Sequence, residues 1–125
     1  MEERKKLSKI ESIKCGFNGI KYCVQKDKTC KGKCIISAVV IIISLLLNIS
    51  QIKLFIVLLL CGINISLEMI NDAIEKTIDL IHPEYNEKAG LIKDIASGAV
   101  QVMCIIAIII GLAIFIPELY KTNWL

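Results

Sequence analysis

Three stretches without a single charged residue dominate this chain: 34–52, 54–67 and 95–117. A bilayer core of about 30 Å is crossed by roughly 20 apolar residues in helical form, so the first and third stretches suffice alone. The second suffices once its flanks, Lys53 and Glu68, are counted, because a long charged side chain can snorkel to the interface. With 125 residues in all, the chain cannot wrap water-soluble layers around three such stretches. The expected fold is therefore an all-α integral membrane protein. Residues 1–33 form an N-terminal segment and 34–125 a membrane domain, with transmembrane helices at about 34–50, 52–81 and 92–117. The second of these includes a cytoplasmic extension. A polar segment precedes the first stretch and no small-residue cleavage site closes it, so a retained span is expected rather than a removed leader.

Lysine and arginine set the expected orientation. Residues 1–33 hold ten of the fifteen basic residues, and Lys76, Lys88 and Lys93 fall between the second and third stretches. The other two faces carry only Lys53 and Lys121, so the N-terminus and the 71–94 connection are expected in the cytoplasm and the C-terminus outside. In the basic N-terminal segment, lysines alternate with Ile10, Ile13, Phe17, Ile20 and Val24. That pattern suits an amphipathic helix on an anionic leaflet better than contact with nucleic acid. An interruption is expected at G-F-N-G, 16–19. The six cysteines offer no C-x-x-C pair. Cys15, Cys23, Cys30 and Cys34 face a reducing compartment, and Cys61 and Cys104 lie in apolar helices, so packing is expected for all six.

Residues 48–51 are long enough only for a tight turn. Beyond Glu68, the positions Met69, Ile70, Ala73, Ile74, Thr77, Ile78 and Ile81 keep helical spacing, which predicts a helix running on to His82-Pro83, where the residue before proline leaves the helical region. A polar connection over 84–90 follows. Helix resumes before Ala96, Ser97, Gly98 and Ala99, small residues that allow close helix approach in a membrane. The sequence holds no Walker A loop, no G-x-G-x-x-G and no H-E-x-x-H.

Glu68, Asn71, Asp72, Glu75 and Asp79 fall within a stripe about 100 degrees wide on one face of the second helix. Four acids on one stripe repel one another unless cations bind them, and hard oxygen ligands beside a phosphate suit magnesium. For Asp72 and Asp79 a solvated helix end explains the charge equally well. Glu68 is different. It stands about 23 Å along its helix from the outer end, near the inner edge of the bilayer core, where an acid is costly and marks function. Glu84, Tyr85, Asn86, Lys93 and Asp94 add acids, an aromatic face, an amide and a cation on the same side, which suggests a nucleotide site closed by the 82–94 connection.

E-x-x-N-x-A-I-E-x-x-x-D at 68–79, P-E-Y at 83–85 and K-D-I-A-S-G-A-V at 93–100 together resemble the signature of the prokaryotic diacylglycerol kinase and undecaprenol kinase family. The resemblance covers roughly 15–117 without an obvious gap. It implies a homotrimer in the bacterial cell membrane, with a surface-lying N-terminal helix and active sites shared between neighbours. Carried over by position, it makes Glu68 the catalytic base and Asn71 its neighbour at the phosphate. It makes Glu75 a magnesium ligand, and Glu84, Tyr85, Asn86, Lys93 and Asp94 contacts to ATP. The family's second magnesium ligand is a glutamate. A gapless count reaches Asp27, which keeps the carboxylate but is one methylene shorter. Arg4 and Lys9 compete for the family's N-terminal basic position.

The activity so implied is transfer of the γ-phosphate of ATP, with Mg2+, to the hydroxyl of a membrane lipid alcohol. Diacylglycerol is slightly favoured as acceptor by the P-E-Y and K-D-I-A-S-G-A-V segments, and undecaprenol is the alternative. A non-catalytic membrane regulator, whose acids merely solvate a helix end, is the rival of a different class. A soluble helical bundle is a third reading.

Overall fold

The computed structural model describes residues 8–122 as four helices: α1 (Lys9–Lys26), α2 (Lys28–Leu46), α3 (Gln51–Ile81) and α4 (Glu87–Lys121). Of the two candidate N-terminal basic residues, Lys9 opens α1, and Arg4 lies outside the described residues. Helices α2, α3 and α4 are each long and apolar enough to cross a membrane. Among the described residues there is no strand, as an all-α membrane protein requires.

Each helix start has a side-chain cap. Ser8 accepts from the Glu11 amide at 3.2 Å and opens α1, and Ser50 does the same for α3 through the Lys53 amide at 3.3 Å. A capping oxygen of this kind satisfies one of the amides that a helix start leaves without an internal partner. Helix α1 runs unbroken through Gly16 and Gly19, so the interruption expected at G-F-N-G does not occur. Two glycines cost helix propensity but do not stop a helix whose flanking residues favour it.

Asp27 ends one helix and begins the next. Its amide donates to the Cys23 carbonyl at 3.1 Å, and its Oδ1 accepts from the Thr29 and Cys30 amides at 3.0 and 3.4 Å. That cap starts α2 at Lys28, six residues before the apolar stretch begins. Asn48, at φ 55°, turns the chain between α2 and α3, a left-handed conformation that asparagine tolerates better than most side chains. Helix α3 stops at Ile81 with His82 as its C-cap, where His82-Pro83 predicts the end. Asn86 then caps α4, its Oδ1 accepting from the Lys88 and Ala89 amides at 2.9 and 3.3 Å. The third helix thus begins at Glu87, inside the expected 84–90 connection. It also passes Pro117 and ends at Lys121, since a proline so near the end disturbs only the last turn.

Helix α3 is the centre of the bundle, packed against α2 on one side and α4 on the other, while α1 packs on α2. At 1.5 Å per residue α3 is about 46 Å long and α4 about 52 Å, so both outrun a bilayer core. Burial is inverted relative to a water-soluble protein. Ile36, Leu46, Leu59, Ile105 and Ile108 point outward, whereas Ser44, Glu68, Asn71 and Glu118 are buried. Apolar side chains facing out and polar ones facing in is the arrangement a hydrocarbon solvent selects.

Two interhelical ion pairs bracket the apolar middle. Lys53 joins Glu118 at 2.7 Å, so it is tied to α4 as well as free to snorkel, and Lys33 joins Glu68 at 3.3 Å. Along α3 the two pairs are about 23 Å apart. In the small-residue cluster only Ala96 is buried, with Val100 one turn on. A side chain at Gly98 would meet nothing within 4 Å in this chain.

Candidate active site

Glu68 and Asn71 lie one helical turn apart on the face of α3 turned into the bundle, only 5% and 8% exposed. Helical spacing alone puts them there, as residues three and four apart share a face. Glu75 follows one turn further, and Asn71 Nδ2 donates to its Oε1 at 3.5 Å. Among the described residues, Asn71 Oδ1 is the buried side-chain oxygen to which the protein offers no donor. A buried acceptor left in that condition costs about 1–3 kcal/mol.

The acidic stripe divides. Glu68, Asn71 and Glu75 form this inward row. Asp72 is neutralised on its own helix by Lys76 at 2.8 Å, and the Lys76 ammonium lies 5.6 Å above the ring of Tyr22, linking α3 to α1. Asp79 pairs with Lys93 of α4. Asp72 is thus largely covered within its ion pair, whereas Asp79 keeps the solvated position of a helix end while pairing with Lys93.

Glu84, Tyr85, Asn86, Lys93 and Asp94 line one cleft of about 320 Å³, together with Ile78, Asp79, His82, Pro83, Ala89 and Gly90. Three local features build it. Pro83 ends α3, Asn86 restarts the helix, and the His82 ring shares a hydrogen bond with the Glu84 carbonyl at 2.8 Å across the turn. The Tyr85 ring is 86% exposed and lies over Gly90, 3.6 Å from where a side chain there would begin. An exposed aromatic face beside a lysine and three acids is suited to a planar, phosphate-bearing ligand held with a cation. Five of the six residues expected to bind nucleotide are thus gathered in one place, at the same end of the bundle as Glu68, while Asn71 does not line the cleft.

Asp27 stands apart, at the junction of α1 and α2, with Oδ1 occupied in capping. Burial, followed by the carboxylates of Asp72 and Asp27, pushes the nearby Cys23 thiol up from its ordinary range. Among the described residues, no three His, Cys, Asp or Glu side chains converge to enclose a metal. Magnesium does not need such a cage, since it is commonly held by one or two carboxylates together with substrate phosphates and water. The inward row offers a carboxylate at Glu75 and the unpartnered amide oxygen of Asn71, both hard donors. The residues fit a magnesium ion that arrives with a nucleotide.

Two groups at this end escape a reading of the sequence. Lys33 counts there only toward orientation, although a cation at the edge of one span and an acid at the edge of the next are a signal that they meet. Cys104 reads as a small hydrophobe, yet its Sγ donates to Asn64 Oδ1 at 3.4 Å.

Residues 14–115 match the family model described as prokaryotic diacylglycerol kinase. The chain is 46% identical over 80 residues to the undecaprenol kinase of Bacillus subtilis, covering 64% of this chain and 65% of that one. It is 26% identical over 107 residues to the diacylglycerol kinase of Haemophilus influenzae, 85% and 91% of the two chains. With the diacylglycerol kinase of Synechocystis it shares 28% over 111 residues, 88% of this chain and 63% of that one. The matched part is thus a little under two thirds of the Bacillus and Synechocystis proteins. With a family match that runs from the middle of α1 almost to the end of α4, this three-span chain belongs to the prokaryotic diacylglycerol kinase family.

Proposed function

We propose that the protein transfers the γ-phosphate of ATP to the hydroxyl of a membrane lipid alcohol, with Glu68 as the base that accepts the hydroxyl proton. The observation that carries this reading is the position of Glu68. It is a buried carboxylate near the edge of the apolar zone, at the same end as a cleft lined by a lysine, acids and an aromatic ring. The hydroxyl of a lipid lies just below the headgroup plane, so it meets a base at that depth.

Phosphoryl transfer asks the protein mainly to align the reactants and offset charge. In the cleft, Lys93 offsets phosphate charge and is shared with Asp79, while Tyr85 offers its exposed ring to the nucleotide base. Glu84, Asn86 and Asp94 supply polar contacts to the rest of the nucleotide, those of Asn86 compatible with its role as the α4 cap. Asn71 presents its unpartnered oxygen beside the transferring group. Magnesium would be held by Glu75, by the Asp27 carboxylate oxygen that capping leaves free and by the nucleotide's own phosphates, with the Asn71 oxygen beside them, and would supply neutralisation of phosphate charge.

For the acceptor, the higher identity to an undecaprenol kinase, 46% against 26% and 28%, favours undecaprenol over the diacylglycerol suggested by the P-E-Y and K-D-I-A-S-G-A-V segments. The N-terminus and the cleft face the cytoplasm and the C-terminus faces outward, on the strength of the lysine distribution. Helix α1 lies on the inner leaflet, in keeping with its exposed Ile10, Ile13 and Phe17. The protein works as a homotrimer. An open apolar groove on α3, lined by Phe55, Leu58, Leu59, Gly62, Ile63, Ser66 and Leu67, gives another copy a surface with two small residues on it.

The test is transfer of label from γ-labelled ATP to lipid by the purified protein in mixed micelles, with magnesium and either undecaprenol or diacylglycerol. Label should enter the lipid fraction, faster with undecaprenol. No label in either lipid, and no magnesium-dependent consumption of ATP, would instead support the non-catalytic regulator.

A further inference from the structure

A buried acid does not orient itself, and what surrounds Glu68 comes from all three spanning helices. Lys33 of α2 places Nζ 3.3 Å from Glu68 Oε1, with the two side chains only 17% and 7% exposed. The same ammonium reaches Cys104 Sγ of α4 at 3.7 Å. The Cys104 thiol donates to Asn64 Oδ1 at 3.4 Å, and Asn64 Nδ2 donates to the Leu60 carbonyl at 2.9 Å, which returns the chain of contacts to α3. Asn64 stands one turn from Glu68 on the same face. Polar groups inside a membrane bundle are costly unless each finds a partner, and here each finds it on another helix or on the backbone.

We infer that Lys33 is a positioning residue for Glu68: reaching across from α2, and itself steered by Cys104 and Asn64, it holds Oε1 so that the other carboxylate oxygen is left for the acceptor hydroxyl. The inference rests on the proposed role of Glu68 as base. A carboxylate with no counter-charge at this depth is costly and turns toward the headgroups. Turned away, it would be lost as a base. Lysine suits the task because its flexible stem crosses between helices while the charge stays compact. The polar chain also ties the orientation of the base to the packing of α2 and α4, so a displacement of either helix would move Oε1.

Five variants, one of them a substitute, test this in the lipid phosphorylation assay. Lys33→Met keeps the stem and removes the charge. It should lower kcat by about a hundredfold, the loss expected when a reacting group is misplaced by about 1 Å, with KM for ATP unchanged because Lys33 does not line the nucleotide cleft. Lys33→Arg should recover most of that loss by restoring a cation. Lys53→Met breaks the ion pair at the far end of the bundle, and should leave kcat unchanged while lowering the melting temperature. If Lys33→Met does not insert, Lys33→Gln makes the same comparison. Glu68→Gln separates the two levels of the argument. If it is inactive while Lys33→Met, or Lys33→Gln in its place, turns over normally, Lys33 has no positioning role and the base survives. If Glu68→Gln is itself fully active, base and positioning residue both fall. A loss in the Lys33 variant that appears in KM alone, or that Lys33→Arg does not repair, also overturns the inference.

Discussion

Replacing Asn71 by leucine should make the unliganded protein at least as stable and the enzyme far slower. Asn71 is 8% exposed and its Oδ1 has no donor from the protein, which costs the folded state about 1–3 kcal/mol. The other half of the amide returns little, because its contact to Glu75 Oε1 is 3.5 Å long, at the limit of a hydrogen bond and worth about 0.5–1 kcal/mol. Leucine has the same branched outline and the same number of side-chain heavy atoms, bulkier at its methyl ends, and no polar atom to satisfy. The balance is a gain between about zero and 2.5 kcal/mol, and at about 4 °C per kcal/mol for a chain of this size the melting temperature should rise by up to roughly 10 °C. Turnover should nevertheless fall at least about tenfold, as for the loss of a polar group aimed at the reacting atoms. The assays are loss of helical circular dichroism on heating in detergent without nucleotide, and lipid phosphorylation at matched protein concentration. Destabilisation by more than about 1 kcal/mol would mean that Oδ1 is well satisfied in the resting protein. Unchanged turnover would mean that the oxygen serves no ligand. Either result refutes the argument.

Glu68→Gln preserves shape and should reduce lipid phosphorylation by at least about a hundredfold, with ATP binding retained; turnover within tenfold of the parent protein would remove Glu68 from the mechanism. Asp27 carries two expectations that separate cleanly: Asp27→Ala should cost about 1 kcal/mol through the lost α2 cap, whereas Asp27→Asn caps equally well, so a raised magnesium requirement in Asp27→Asn, and a larger one in Glu75→Gln, would identify metal ligands. Unchanged magnesium dependence in Asp27→Asn would assign Asp27 to capping alone. Because burial and the Asp72 and Asp27 carboxylates raise the Cys23 pKa, less thiolate is present near pH 8. Cys23 should therefore react with maleimide more slowly than the partly exposed Cys15, and equal rates in single-cysteine variants would contradict the packing of α1 on α2. A reporter active only outside the cell should work when fused after residue 125 and stay silent when fused ahead of residue 1; the reverse pattern would invert the orientation.

The number of candidate spans, their order and the run of α3 beyond its apolar stretch were legible in the sequence, because the bilayer imposes a length on uncharged helix and Pro83 imposes an end on α3. The composition of the cleft was legible too, as Glu84, Tyr85 and Asn86 lie on a short turn that must double back beside Lys93 and Asp94. Helix limits were less so. Asp27 and Asn86, read for chemistry, are also caps that start α2 and α4 early, and a capping residue and a ligand are the same residue types. Hydrophobic spacing reports which face of a helix is apolar, but not how far one helix slides or turns against its neighbour. Only the tertiary packing decided that Lys33 meets Glu68, that Cys104 meets Asn64, that Asp79 is neutralised by Lys93 and Glu118 by Lys53. Each of those pairings joins residues on different helices, and its existence depends on depth and rotation in the bundle, which no local pattern in the chain records.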